Sequence, residues 1–410
     1  MRVLLSTIGS RGDVQPLVAL ALELKALGQE VRLCVPPDLR DWIDGFGLPV
    51  TPIGPELRKA TASAAAGPPA PPSPERRRQL AEATVAAQFE TIGAAAQGCD
   101  LIMGATALQI AAPSVAERMG IPYVFAAYCP VVLPSPHHAP PPLPVPGQLP
   151  APATAANREL WARNAGSFND TFRAALNSHR ASAGLGPVDD VRSHVFTDQP
   201  WLAADPTLGP WPDPSDKTVF QTGAWILPDE RPLLPELEAF LDAGEPPVYF
   251  GFGSMRAPRD LGQAMVQSAR ALGRRAIVSR GWADLSVVDD GPDCLAVGEV
   301  NLRALFGRVS AVVHHGGAGT TALAALAGAP QVVVPQIYDQ HYWARRIERL
   351  GIGAAHAPGA PTAESLTSAL AHALRPDVAG RARSTAASVR SDGARLAARR
   401  LIAADGGDSA

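Results

Sequence analysis

Val309-Ser310-Ala311-Val312-Val313-His314-His315-Gly316-Gly317-Ala318-Gly319-Thr320-Thr321 passes from an apolar, β-branched run through a glycine-rich turn into the alanine-rich residues Ala322–Ala327. The pattern predicts a strand, a tight turn and a helix. Such a turn gathers the N–H groups of a helix N-terminus at one point, where unpaired donors and partial positive charge suit a phosphate. Glycines let the backbone approach a ligand that a Cβ would hold off, and a histidine at the strand tip adds a donor. The residues themselves therefore point to a diphosphate site, against the plainer alternative of a βα turn with no ligand.

The same rhythm runs outward in both directions. Toward the N-terminus, Arg2–Ile8, Glu30–Val35 and Pro49–Ile53 read as strands, with helices predicted over Val14–Leu27 and Asp38–Gly45. Gly28 follows as a natural helix terminator. Beyond a proline-rich loop at Gly67–Pro74 come a helix over Glu75–Gln97, a strand at Asp100–Met103, a helix over Ala107–Met119 and a strand at Tyr123–Ala127. Pro130–Pro152 holds ten prolines and cannot be regular structure; a loop of that length in an α/β domain reads as a lid or binding loop. Asn157–Ala183 returns to helix, and Ser193–Thr197 and Trp201–Ala203 read as closing strands. Asp205–Ser215, rich in proline and glycine, is the linker candidate. After it, Val248–Gly251, Arg275–Ser279, Cys294–Val297, Ala311–His314 and Gln331–Pro335 repeat the strand pattern. Pro376–Ala404 is helical.

Alternation of this kind makes parallel sheets covered on both faces. The fold class is α/β, with two Rossmann-like domains facing across a cleft. The boundaries are 1–204 for the first domain, 205–217 for the linker, 218–385 for the second domain, and 386–410 for a C-terminal helix packing back on the first. The 410 residues are too many for one ordinary domain, and 46% hydrophobic content suffices for full cores. A net charge of −3 gives no broad basic face for nucleic acid. Cys34, Cys99, Cys129 and Cys294 have no paired spacing, which fits a reducing, cytoplasmic setting without zinc or disulfides. Neither a signal peptide nor an apolar window of about 18 residues is present, so no membrane span is expected.

Three further turns carry chemistry. Gly9-Ser10-Arg11-Gly12-Asp13-Val14-Gln15-Pro16 follows the first strand. Asp13 reads either as a helix N-cap or as a general base, and a helix N-terminus lowers a carboxylate's basicity unless burial opposes it. Arg11 is a candidate phosphate partner. Phe252-Gly253-Ser254-Met255 and Ser279-Arg280-Gly281-Trp282 offer a hydroxyl and a stacking ring, against a cap and ordinary packing. Pro335-Gln336-Ile337-Tyr338-Asp339-Gln340 sets an acceptor and an amide past a strand end, which suits sugar hydroxyls, against another cap. His137 and His138 lack partners at metal-ligand spacing.

Taken together, the chain resembles the GT-B glycosyltransferases that use nucleoside-diphosphate sugars. It is most similar to the bacterial natural-product enzymes that decorate glycopeptide antibiotics and to the sterol glucosyltransferases. The resemblance spans essentially the whole chain and rests on five motifs in order: Gly9–Pro16, Phe252–Met255, Ser279–Asp284, His314–Thr321 and Asp339–Gln340. It implies an inverting hexosyl or deoxyhexosyl transfer from a UDP- or dTDP-sugar to a hydroxyl of a bulky hydrophobic aglycone, with Asp13 as general base. It further implies that His315 contacts the donor diphosphate beside Gly317, Ala318, Gly319 and Thr320. Ser254 would touch phosphate, Asp339 and Gln340 would hold sugar hydroxyls, and Trp282 and Val300 would accommodate the nucleoside. Ser10, Arg11 and Gly12 would line the donor site from the first domain. No cofactor and no metal is implied, and the expected assembly is a monomer or homodimer. Many uridine-sugar members carry a glutamate where this chain has Leu323, a departure compatible with a thymidine nucleotide. Two other readings stand beside this one. Gly317–Ala322 matches G-x-G-x-x-A, which would suit an NAD-dependent oxidoreductase, and a non-catalytic activator could share the fold.

Overall fold

The computed structural model describes residues 1–58, 73–142, 156–212, 218–255, 261–285, 289, 291–357 and 360–405. The first sheet contains β1 (Arg2–Thr7), β2 (Glu30–Val35), β3 (Val50–Pro52), β4 (Leu101–Ala105), β5 (Tyr123–Ala127), β6 (Trp201–Leu202) and β7 (Phe220–Gln221). The second contains β8 (Val248–Gly251), β9 (Ala276–Ser279), β10 (Cys294–Val297), β11 (Ala311–His314), β12 (Gln331–Val333) and β13 (Gly353–Ala355). Strand order is β3-β2-β1-β4-β5-β6-β7 in one and β10-β9-β8-β11-β12-β13 in the other. Every pairing is parallel.

Alternation along the strands makes the layers. On β1, Val3 and Leu5 face the helix Arg11–Ala26 through Leu17 and Leu20, while Leu4 faces Val85 and Ile92 of the helix Pro74–Ala95. In the second sheet, Phe250, Val278 and Val313 pack on Met265 and Leu366; Tyr249, Ile277 and Val312 pack on Leu237 and Phe306. The C-terminal helix Gly393–Asp405 inserts Ala397, Ala398 and Leu401 into the core beneath β1.

Several sequence-based boundaries give way to the structure. Ser193–Thr197 belongs to a helix, Val191–Phe196, not a strand. Asp190 accepts from the Ser193 N–H (3.1 Å), and Val191 and Val195 share one buried face. The helix expected from Ala107 begins at Ala112, because the Gln88 amide holds residues 108–111 as a turn, donating to Leu108 O (2.7 Å) and accepting from Ala111 N–H (2.9 Å). The linker candidate, whose residues from 213 on lie outside the described residues, is tied to the fold at Asp205: this buried side chain accepts from the N–H groups of Thr207, Leu208 and Arg390. Phe220–Gln221, placed in the second domain by sequence, is the edge strand of the first sheet. The Gly67–Pro74 loop lies outside the described residues except for its last two. So does the Pro130–Pro152 stretch after Pro142.

In each sheet the strand order reverses at one place, between β1 and β4 and between β8 and β11. Ligands of open α/β sheets bind beyond the carboxyl ends of strands at such switch points. Three of the five sequence motifs begin there: Gly9–Pro16 follows β1, Phe252–Met255 follows β8, and His314–Thr321 runs from the end of β11.

Candidate active site

A cavity of about 1720 Å³ is lined by residues of both domains. Ser10, Arg11, Gly12, Asp13, Ser254, Trp282, Val300, His315, Gly317, Ala318, Gly319, Thr320, Asp339 and Gln340 all border it. Residues separated by more than three hundred positions thus share one volume.

The β1 turn is built around Asp13. The helix starts at Arg11, earlier than the sequence pattern suggests, with Ser10 as N-cap. Asp13 is therefore not the cap but the third helical residue. Its Oδ2 accepts from the Ser10 N–H (2.7 Å) and the Ser10 hydroxyl (3.3 Å). Gly9 must be glycine, since a Cβ there would overlap the Asp13 carboxylate. The Tyr128 hydroxyl donates to the Asp13 carbonyl (3.0 Å) and fixes the turn from the end of β5. Burial raises the Asp13 carboxyl to about 6, against the opposing Ser10 hydrogen bonds. Desolvation thus outweighs the hydrogen bonds at the helix start that would have made this group a poor base.

The β11 turn is built around a neighbouring histidine. His314 is fully buried; its Nε2 meets Gln331 Oε1 (2.9 Å), and its Nδ1 accepts from the Gly316 N–H (3.1 Å). That bond turns the chain at Gly316, whose φ of 92° demands glycine. His315 then points into the cavity. Burial, with His314 beside it, lowers its pKa to about 3, so the ring is neutral and serves as a hydrogen-bonding group. Its buried Nδ1 has no partner among the described residues. The helix Ala318–Leu326 has Gly317 as N-cap, no side-chain cap and no acidic residue in its first turn. Its N–H groups are left for an external acceptor.

Asp339 precedes the helix Gln340–Leu350 without capping it; its Oδ2 accepts from Trp343 Nε1 (3.2 Å). Burial, and then the charge of Asp13, raise its carboxyl to about 7. The two carboxyls, one from each domain, thus face a common space. Gln340 has a structural role that the sequence did not show. Its Oε1 accepts from the N–H groups of Gln336 (2.8 Å) and Ile337 (3.1 Å), and its Nε2 meets Met255 Sδ (3.4 Å). These bonds shape the loop that presents Asp339 and leave one Nε2 proton uncommitted at the cavity wall. Arg11 also borders the cavity; its guanidinium pairs with Glu299 (2.8 Å) and lies over the Trp42 ring, contacts that leave the second terminal nitrogen uncommitted.

Gly281, at φ 55°, lets the β9 turn close on Gly253, whose carbonyl accepts from the Trp282 N–H (2.8 Å). Trp282 and Val300 remain half-buried on the cavity wall, as does Ser254. Leu323 also lines the cavity and packs against both neighbouring cores, so no carboxylate is offered there. On the first-domain side, the helix Asn157–Ser182 presents Trp161, Asn164, Phe168 and Phe172. Sequence reading missed this stripe, Trp42, Tyr128, Tyr338 and Glu299. For Tyr128 and Glu299 a signal existed, because each lies just past a strand's carboxyl end. Asp289, Asp293 and Cys294 have ligand-like spacing, but Arg270 holds both carboxylates and none of the three lines the cavity. No described helix is long and apolar enough to cross a membrane.

Comparison with known proteins bears on this arrangement directly. Residues 3–135 match the glycosyltransferase family 28 N-terminal domain, and residues 265–397 match the erythromycin biosynthesis protein CIII-like C-terminal domain. The chain is 54% identical to glycosyltransferase GtfE of Amycolatopsis orientalis over 99% of this chain and 98% of that protein. It is 50% identical to the vancomycin aglycone glucosyltransferase of the same organism, over 98% and 97% respectively. Among solved structures, the kitacinnamycin glycosyltransferase superposes with a TM-score of 0.71 at 19% identity over 98% of both chains. VinC in complex with dTDP gives 0.67 at 20% identity, over 98% of this chain and 99% of that one. The oxidoreductase and activator readings fall away, since near-full-length relatives at this identity are sugar-transferring enzymes. The chain belongs to the GT-B glycosyltransferases of natural-product biosynthesis, and it transfers a sugar to a natural-product acceptor.

Proposed function

We propose that this enzyme transfers the sugar of a UDP- or dTDP-sugar, with inversion, to a hydroxyl of a bulky, largely hydrophobic aglycone. Asp13 removes the acceptor proton through the carboxylate oxygen that Ser10 leaves free. The acceptor oxygen attacks the anomeric carbon in line, and the nucleoside diphosphate departs toward His315 and the N-terminus of the helix Ala318–Leu326. Asp339 orients the donor sugar; Trp282 and Val300 border the nucleoside; Ser254 and the amides of Gly317–Thr320 meet the diphosphate. The observation that carries this reading is the meeting, in one cavity, of a carboxyl raised to about 6 with an uncapped helix N-terminus. The first is a base poised near neutral pH, and the second stabilises a leaving anion. Leaving-group stabilisation comes from backbone donors and a neutral imidazole, without a metal ion.

Leu323 is compatible with a thymidine donor, and one relative, 45% identical over 93% of this chain, is named as a dTDP-epi-vancosaminyltransferase. The acceptor would lie along Trp161, Phe168 and Phe172. The test is incubation with UDP- and dTDP-sugars and a panel of aglycones, followed by mass detection of product and NMR of the anomeric linkage. Products of inverted configuration that vanish in Asp13→Ala support the reading. Retention, or full turnover by Asp13→Ala, overturns it.

A further inference from the structure

Arg11 opens the helix Arg11–Ala26, two residues before Asp13. Its guanidinium carbon lies 3.4 Å from the centroid of the Trp42 ring, and its Nε donates to Gln15 Oε1 (3.3 Å), so the cation is fixed to the first domain. One terminal nitrogen donates to Glu299 Oε1 at 2.8 Å. Glu299 sits on the loop after β10, in the second domain, next to Val300. That loop is also firmly mounted. Buried Asn301 accepts from the Ala304 N–H (3.0 Å) at the start of the helix Leu302–Phe306. Its amide nitrogen donates to the carbonyls of Asp229 (3.0 Å) and Arg231 (2.8 Å). Asp229 and Arg231 pair with each other at 2.6 Å and also lie close enough to Glu299 and Arg11 to feel their charges, so the clasp sits within a cluster of four charges. Two stiff supports, one on each side of the cleft, are thus joined by an ion pair between residues 288 positions apart.

We propose that Arg11 and Glu299 form a clasp that sets the spacing of the two domains at the reaction centre, with Glu299 a positioning residue for the approach of Asp13 to the donor. The geometry gives the reason. Arg11 shares the first helical turn with Asp13, and Glu299 shares a loop with the nucleoside wall, so the pair links the two halves whose register decides in-line attack. Small misplacements of reacting groups are costly in rate. The Glu299 side chain is 65% exposed, so the pair is partly solvated and sensitive to salt.

The kinetic part of the test rests on the function proposed above; the distance part does not. Glu299→Gln lowers kcat/KM about threefold to fivefold, the size expected of a solvated ion pair, with little change in melting temperature. Added salt lowers the parent enzyme toward that value and leaves Glu299→Gln unmoved. Once Arg11→Gln is in place, Glu299→Gln costs far less than it does in the parent, the remainder reflecting Arg231 nearby. Additive losses, or equal salt dependence in parent and variant, overturn the clasp. For the distance, spin labels go on Glu90→Cys in the first domain and Glu245→Cys in the second, both exposed positions; the four native cysteines are buried. The label separation is narrowly distributed in the parent and broadens in Glu299→Gln. An unchanged distribution overturns the clasp whatever the kinetics show. Broadening without any loss of turnover overturns the positioning role. Should Asp13→Ala keep full turnover, the base assignment fails while the distance result still judges the clasp.

Discussion

The two switch-point turns have the same plan and opposite endings. After β1, a glycine turn enters a helix whose own third residue, Asp13, folds back onto the Ser10 N–H. After β11, a glycine turn enters a helix with no side-chain cap and no acid in its first turn. One helix N-terminus is occupied by its own carboxylate and the other is left open. An internal anion at the first makes that turn a place for a base. The absence of one at the second makes it a place for a ligand's anion. The contrast teaches that a strand–glycine turn–helix unit does not by itself name a phosphate site. What decides is which acceptor the first turn of the helix already has.

The largest effect should come from removing the internal anion. Asp13→Ala lowers kcat by about 10²–10⁴, the usual range for a general base, with nucleotide affinity unchanged. Steady-state kinetics beside calorimetric titration checks both halves. Gly9→Ala attacks the same turn from behind, because the new Cβ would overlap the Asp13 carboxylate. A loss of about 10–100-fold in kcat is expected from displacing the base by a fraction of an ångström. A fully active Gly9→Ala would mean that the observed carboxylate position is not the working one.

pH sharpens the contrast next. Asp13 must be ionised to act, so kcat/KM rises with pH through about 6, with Asp339, raised to about 7, extending the same limb, while His315, lowered to about 3, stays neutral throughout. The part of the acidic limb near 6 should disappear in Asp13→Ala, the upper part in Asp339→Asn, and both should persist in His315→Gln. The stability consequence has the opposite sense. Both carboxyls are raised in the folded state, so the folded protein holds more protons than the unfolded chain between about pH 4 and pH 7. Stability of the ligand-free protein therefore falls as pH rises through that window. Asp339→Asn should remove part of the fall, making the variant more stable at pH 8 by on the order of 1–2 kcal/mol and little changed at pH 4. Denaturant titrations at the two pH values measure it.

Most of the architecture was legible in the residues. β-branched runs ending in glycine turns marked the strands, and the motifs after β1, β8 and β11 lie where the sheet order reverses. What escaped was set by contacts distant in sequence. The Val191–Phe196 helix depends on Asp190 as its cap, and its short apolar pattern fits strand and helix alike. The β7 edge strand is two residues long, too short for any periodicity, and follows a proline-rich segment that resembles a linker. At the site, the residue types at Gln340 and Arg11 were right for sugar and phosphate. Their partners, the Gln336 and Ile337 amides in one case and Glu299 in the other, appear only once the chain is folded. Sequence could place Asp13 at a helix start. It could not show that burial would outweigh the Ser10 hydrogen bonds.

The measurement that tests the account most directly is calorimetric titration of UDP and dTDP into the parent, Asp13→Ala and Gly319→Asp. Gly319 is exposed and a Cβ there meets open space, so the new carboxylate is tolerated sterically and occupies the open helix end. Asp13→Ala should bind nucleotide as the parent does, while Gly319→Asp should lose affinity by about 100-fold or more through like-charge exclusion at the helix end. Undiminished binding by a folded Gly319→Asp, or loss of binding in Asp13→Ala, would contradict the account.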